Sequence, residues 1–401
     1  MEPMQPNSPH WILAAVFSTS LGVGLIFGFE LPLIAIVLSR SGHSTLLIGA
    51  VIAVSLVAVT LIGPLYPRAI ARLGLQRSVM SGIGAAVVIL FVMPYWNSVA
   101  AWAVLQIATG CALGLSWIAS EIWMNTVSGN QSRGTVMGIY GTVFSIGTVA
   151  GPVLLEFTGT SGALPFLIGG LCLACTLLPL ALIRDVAASS AAHAAQSATV
   201  AHAASSSTRR GALRELVGFL QAAPVVMVAA AVAGLVESAD LSLLPLFGLH
   251  LRMGERAALL MVTVFLAGNV ALQLPIGLLA DRFGRRAMLG ICSAASAIGP
   301  LLLPDAYNTP TLLWPLLFVW GGTLYAFYSQ GVAMLGEQFS KRDLAGANTA
   351  FVMVYCIGGI LGPSIGGWAM GQWPNRGLPA LLAIAAASLL AVLALRRRVS
   401  R

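Results

Sequence analysis

Five acidic residues, Glu30, Glu121, Glu156, Glu237 and Asp240, fall inside long apolar stretches of this 401-residue sequence, and no Arg, Lys or His lies deep in any of those stretches. A charge surrounded by hydrocarbon is costly and usually faces a cavity, a partner or an ion pathway. Carboxylates without a countercharge are expected to take up protons near neutral pH or to bind a cationic group, and either outcome disfavours an anionic ligand. Glu30 stands in G-F-E-L-P, just before Pro32. Glu237 and Asp240 are three apart and so share a helix face. These three are candidates for proton or substrate binding, the alternative being a structural hydrogen bond. Glu121 forms an i, i+4 stripe with Trp117 and Asn125 and has the same two readings. Glu156 is expected to be structural.

The surrounding composition says what holds these groups. Hydrophobic residues make up 58% of the chain and charged residues only 8%, with a mean hydropathy of +0.90, against about 25% charged in an ordinary soluble domain. So few charges cannot cover the surface of a soluble protein, and the solvent must be lipid. The net charge of +8 would suit nucleic acid only if the basic residues formed a stripe. All five cysteines lie in apolar runs, and C-x-x-C at Cys172 and Cys175 has no second pair or histidine beside it, so no metal centre or disulfide framework is expected. Lys341 is the single lysine and has no glycine-rich phosphate loop before it. An ATPase is excluded, no cofactor is expected, and an ion gradient is the expected energy source.

Polar breaks leave twelve apolar segments long enough to cross roughly 30 Å of hydrocarbon. They run Trp11 to Leu38, Thr45 to Tyr66, Ser78 to Tyr95, Val99 to Trp123, Gly134 to Phe157 and Ala163 to Ile183, then Leu216 to Phe247, Arg256 to Leu279, Met288 to Pro304, Thr311 to Gly336, Ala345 to Gly371 and Gly377 to Leu395. The ten residues before the first segment carry no Arg or Lys, so a removed signal peptide is not expected. With the N-terminus inside, the outer loops hold only Arg40, Arg252, Arg256 and Arg376, and the other 17 of 21 basic residues fall on the inner side. That asymmetry predicts a multi-pass protein with both termini cytoplasmic and accounts for the positive charge without nucleic acid. The Ala/Ser-rich stretch 184–214 reads as a cytoplasmic linker between an N-terminal bundle, 1–183, and a C-terminal bundle, 215–401. Residues Leu213 to Leu220 are a short candidate interfacial helix.

The halves also resemble each other. Arg72-Leu73-Gly74 falls on Arg282-Phe283-Gly284 at an offset of 210, and Gly147-x-x-x-Gly151-Pro152 falls on Gly358-x-x-x-Gly362-Pro363 at 211. Glu30 falls on Asp240 at the first offset and Trp117 on Tyr328 at the second. Parallel six-helix repeats with a binding site near the midplane are a recurrent transporter plan. The glycine spacing lets helices approach closely, and packing is its preferred reading over a coupling role.

Twelve spans, this repeat and G-L-L-A-D-R-F-G-R-R (Gly277 to Arg286) resemble the major facilitator superfamily of secondary transporters. The resemblance implies an all-α fold of two six-helix pseudo-repeats. It also implies a cytoplasmic gate motif at Gly277, Asp281, Arg282, Gly284, Arg285 and Arg286, with Asp281, Arg282 and Arg286 latching one state against helix ends. The first-half copy, Pro67 to Arg77, departs from the motif, with Pro67 for the first Gly and Ala71 for the Asp, so a latch there should be weaker. Gln106 stands where many proton-coupled drug exporters of the superfamily carry an Arg, which weakens a drug-antiporter reading. In segments that line the cavity in this superfamily, Trp117, Tyr140, Tyr325, Tyr328, Gln330 and Tyr355, together with Asn269 and Gln273 on one face of segment eight, are expected to complete an amphipathic pocket. Each taken singly is as readily a packing contact.

The function expected is alternating-access transport of a small neutral or cationic organic solute, proton-coupled, by a non-enzymatic monomer in a bacterial inner membrane. Multidrug efflux and a non-transporting membrane sensor are the alternatives. Fluorescent-protein and phosphatase reporters fused after Arg401 test the topology: the first should fluoresce and the second stay inactive, and the reverse pattern would overturn the orientation.

Overall fold

The structure is a computed structural model that describes residues 9–96, 98–127, 133–182, 217–339 and 343–399. The expected linker, 184–214, lies outside the described residues. These residues form helices and turns with no strand, and twelve of the helices are long and apolar enough to cross a membrane. They are α1 Trp11–Arg40, α2 Thr45–Leu73, α3 Leu75–Tyr95, α4 Val99–Met124, α5 Gly138–Thr158, α6 Leu164–Ala181, α7 Pro224–His250, α8 Glu255–Phe283, α9 Arg285–Ala306, α10 Pro310–Gln338, α11 Gly346–Gln372 and α12 Gly377–Arg396. Each matches one apolar segment. Residues 217–222 are helical as well, in agreement with the short element expected before α7.

The boundaries differ most from the expected ones in four places. Helix α7 begins at Pro224 rather than Leu216, after a bend at Ala223. A 3-10 turn at Gly63–Leu65 carries α2 past Pro64 into Tyr66–Leu73, an amphipathic turn that buries Tyr66 and Ile70 and leaves Arg68 and Arg72 exposed. Proline suits the first turn of the new helical stretch because it has no N–H to satisfy there. Helix α6 is interrupted at Thr176, whose hydroxyl donates to the Leu173 carbonyl at 2.7 Å, a local bond that competes with the backbone ladder. Helix α9 runs to 22 residues despite Pro300 and Pro304, longer than its apolar run because Arg285 and Arg286 form its first turn.

The repeat is visible in the turns. Gly74 (φ 83°) and Gly284 (φ 91°), 210 positions apart, end α2 and α8 in left-handed conformations, and each N–H returns to a carbonyl four residues back. Only glycine adopts that backbone without strain.

Contacts divide the chain into two units. Unit 1 is Met1–Leu33 with Val54–Ala203; unit 2 is Ile34–Ala53 with Ala204–Arg401. In unit 1, α1 meets α5 backbone to backbone, since a Cβ added at Gly28 would lie 2.0 Å from the Thr148 carbonyl oxygen. In unit 2, α7 meets α11 in the same way. A Cβ at Gly234 would lie 2.0 Å from the Tyr355 oxygen, and one at Gly358 would lie 2.1 Å from the Ala231 oxygen. Residues 34–53 belong to unit 2 through contacts such as Thr45 Oγ1 donating to the Gly367 carbonyl and the Arg40–Glu255 ion pair. The glycine spacing thus serves close packing. Helices α1 and α7 are the most enclosed of the twelve, with 78% of their apolar windows buried against 33–50% elsewhere, and they carry Glu30, Glu237 and Asp240.

Enlarging Gly358 to Leu should therefore cost about 1–3 kcal/mol or more through forced backbone shifts, whereas Gly138→Ala, which faces open space, should be nearly neutral. Thermal unfolding of the purified variants in detergent reads the difference; equal midpoints would refute the tight contact.

Candidate functional site

In unit 1 the central group is Glu30, 4% exposed, whose Oε1 accepts a hydrogen bond from Gln106 Nε2 at 2.7 Å; Gln106 itself is 1% exposed. An amide is a neutral donor, so the pair satisfies the carboxyl oxygen without neutralising a charge. Farther along α4, Trp117 Nε1 donates to Glu121 Oε1 at 2.8 Å, the i, i+4 spacing expected of a helix face. The Trp117 ring packs on Phe144 at 5.4 Å. Tyr140 is buried, and its backbone carbonyl accepts from the Ser20 hydroxyl. The Asn125 side chain lies outside the described residues, and Glu156 is half-buried toward the end of α5.

In unit 2, Tyr355 donates its hydroxyl hydrogen to Glu237 Oε2 at 2.8 Å. The Tyr355 ring stands edge-on to Tyr328 at 5.3 Å, and Tyr328 stands edge-on to Phe351 at 5.4 Å. Gln273 Nε2 donates to the Tyr325 hydroxyl. Asn269 is half-buried one turn before Gln273. Gln330 is enclosed rather than exposed to a cavity, at 3%, and its Oε1 has no partner among the described residues.

Asp240 is 0% exposed, and neither carboxyl oxygen has a hydrogen-bond partner among the described residues. Glu30, its match in the repeat, has Gln106. The 211 offset that aligns Trp117 with Tyr328 places Leu317 opposite Gln106, and Leu317 is fully buried. The donor of unit 1 is thus replaced by an apolar side chain in unit 2. An ionised carboxylate in such surroundings pays a large desolvation penalty, and the physical alternatives are a bound proton or a bound cation.

The gate motif closes around Arg285. Its Nε donates to Glu337 Oε1 at 2.7 Å and its other guanidinium nitrogen to Asp281 Oδ1 at 3.0 Å. Arg282, expected to share in the latch, lies instead over the Phe283 ring at 5.5 Å, and Arg286 reaches the Leu393 carbonyl at 3.4 Å. Gly284 makes the turn and Gly277 faces open space. Asp281 and Glu337 are about 60% exposed, so the network contributes little static stability and can break at small cost. Glu337 was not foreseeable from the motif, because it lies 52 residues away at the end of α10. Gln106 was noted in sequence, but its partner was not. No group of three metal-ligating side chains occurs among the described residues.

Comparison with known proteins bears on these arrangements. The model of the Major Facilitator Superfamily matches residues 12–261 and 226–401. The uncharacterized MFS-type transporter YfkF of Bacillus subtilis (strain 168) is 24% identical over 368 residues, covering 92% of this chain and 90% of that protein. The uncharacterized MFS-type transporter YcaD of Salmonella typhi is 26% identical over 350 residues, covering 85% and 84%. Among solved structures, the nucleoside transporter NupG aligns with a TM-score of 0.75 at 16% identity, over 96% of this chain and 98% of that one. A D-xylose-proton symporter aligns with 0.69 at 16% identity, over 95% and 96%. At such identities the structural likeness establishes the fold.

The Glu30–Gln106 bond yields a measurable coupling. Gln106→Leu strands a buried carboxyl and should cost about 1–3 kcal/mol, while the Glu30→Leu/Gln106→Leu pair should cost less than the sum of the singles. Unfolding midpoints of the four proteins in detergent test this, and strict additivity would contradict a direct bond.

Proposed function

This chain belongs to the Major Facilitator Superfamily, and on that premise we propose that it moves a small neutral or cationic organic solute across a bacterial inner membrane, coupled to protons. Family and fold make it a multi-pass membrane transporter rather than an enzyme. The observation that carries the coupling proposal is the pair of enclosed carboxyls, Glu30 and Asp240, on the most buried helix of each unit, with no basic partner among the described residues. A proton is the smallest cation that relieves such a group. Glu30 can then bind and release a proton against a constant amide partner, and Asp240 does so in a pocket without one. Glu121, Glu237, Trp117, Tyr140, Asn269, Gln273, Tyr325, Tyr328, Gln330 and Tyr355 are assigned to the same proton and substrate machinery. The proton gradient serves as energy source, no cofactor is required, and one chain with both termini in the cytoplasm is the working unit. Neutral and cationic solutes are favoured because the enclosed ionisable groups on the most buried helix of each unit are acidic.

In the gate motif, making and breaking the Arg285 pairs to Asp281 and Glu337 would accompany the change of access. The low static worth of exposed ion pairs suits a contact that must open in every cycle.

Reconstitution into vesicles tests the coupling, with a panel of radiolabelled neutral and monocationic organic solutes and an imposed pH gradient. Uptake or release of at least one solute should accelerate with the gradient in wild type, and Glu30→Gln or Asp240→Asn should remove the acceleration. Transport equally fast with and without the gradient would refute proton coupling.

A further inference from the structure

The wall of unit 2 around Glu237 has a chemistry that proton binding alone does not require. One tyrosine reaches this carboxylate, a second packs against the first, and a third stands one turn away on the same helix as the second. Tyr355 of α11 donates to it; Tyr328 of α10 packs edge-on against the Tyr355 ring; and Tyr325 stands one turn before Tyr328 on the same helix. Glu237, Tyr325, Tyr328 and Tyr355 are all partly accessible, whereas Asp240, one turn along α7, is sealed. The two carboxyls therefore differ in exposure: Glu237 keeps some accessible surface, and Asp240 has none.

Aromatic faces beside a carboxylate form a receptor for organic cations. The ring quadrupoles attract a diffuse positive charge that an ordinary solvated ammonium pocket would not need, and the carboxylate supplies the counterion. Tyr355 contributes twice, since its hydroxyl fixes the Glu237 rotamer and its ring forms part of the wall. Tyr325 is held in turn by Gln273, so the wall is preorganised. Two acids one turn apart, with no basic neighbour among the described residues, disfavour double ionisation. A neutral Asp240 thus leaves a single negative charge, on Glu237, matched to a single positive charge on the ligand.

We propose that Glu237 with Tyr325, Tyr328 and Tyr355 forms a recognition site for an organic monocation of the alkylammonium class, Asp240 holding its proton while the cation is bound. This inference rests on the transporter reading above and narrows its substrate class. In that division Glu237 is the ligand's counterion and Tyr355 the positioning residue that holds it.

The test is equilibrium binding to the purified full-length protein, with no membrane gradient, read by thermal stabilisation and confirmed by calorimetry. The probes are benzyltrimethylammonium, choline and 3,3-dimethylbutan-1-ol, which is choline's neutral isostere. At least one of the two cations should stabilise wild type, and the neutral alcohol should not. Glu237→Gln should abolish the effect. Tyr328→Leu should weaken it by about 3- to 30-fold, the equivalent of one cation–π contact. Tyr355→Phe, which keeps the ring and loses the hydroxyl, should weaken binding less than Tyr355→Leu. Equal stabilisation by choline and its isostere, or none by either cation, would overturn the proposal, and this comparison needs no variant to fold. A gradient-driven flux of a neutral solute alongside absent cation binding would refute this site alone. Cation binding with no gradient-dependent flux of any solute would refute the transport coupling and leave the site standing.

Discussion

The backbone contact between α7 and α11 is the constraint on which the second unit turns. Gly234 and Gly358 each face a carbonyl of the opposite helix at a distance that no side chain tolerates. Lipid supplies no hydrophobic drive between helices, so association in a membrane relies on such intimate van der Waals contact. The consequence for chemistry is direct. With the helices this close, Tyr355 needs only its own length to reach Glu237 one turn beyond Gly234, and its backbone carbonyl is the atom against which Gly234 rests. The same residue therefore seals the packing and sets the acid's orientation. In unit 1, Gly28 and Thr148 hold α1 on α5 in the same manner, and Glu30 follows two residues later.

Against that rigid frame the polar groups are sparse, and their asymmetry carries the functional content. The repeat places an acid at matched positions of α1 and α7 but, among the described residues, gives a donor to only one. Gln106 satisfies Glu30, and its counterpart Leu317 offers Asp240 nothing. One fold can thus hold two acids of different affinity for a proton while their helices keep equivalent packing. The cluster around Arg285 shows the opposite design, with exposed and replaceable charges at helix ends.

Much of this was legible in the residues alone, for identifiable reasons. Apolar run length marks a span because hydrocarbon thickness is fixed, and all twelve helices coincide with runs found that way. Glycine spacing in α11 announced a close helix approach, because it records a steric requirement at a fixed helical period, but it did not name α7 as the partner. The Trp117–Glu121 bond was equally local. Bonds that depend on the rotation of one helix against another were not legible: Glu30 meets Gln106 across 76 positions and Tyr355 meets Glu237 across 118. Helical phase also explains the gate. Arg285, four residues after Asp281, returns to its face, whereas the adjacent Arg282 points elsewhere and settles on Phe283. A motif read as a string does not separate those two arginines.

The central claim is that an enclosed acid without a countercharge is held neutral by a proton in the resting transporter. Infrared spectroscopy of the purified protein at neutral pH addresses it directly, because a protonated carboxyl absorbs apart from a carboxylate. The expected result is a protonated-carboxyl band that loses intensity in Asp240→Asn. A spectrum in which every carboxyl is ionised, unchanged by that substitution, would contradict it.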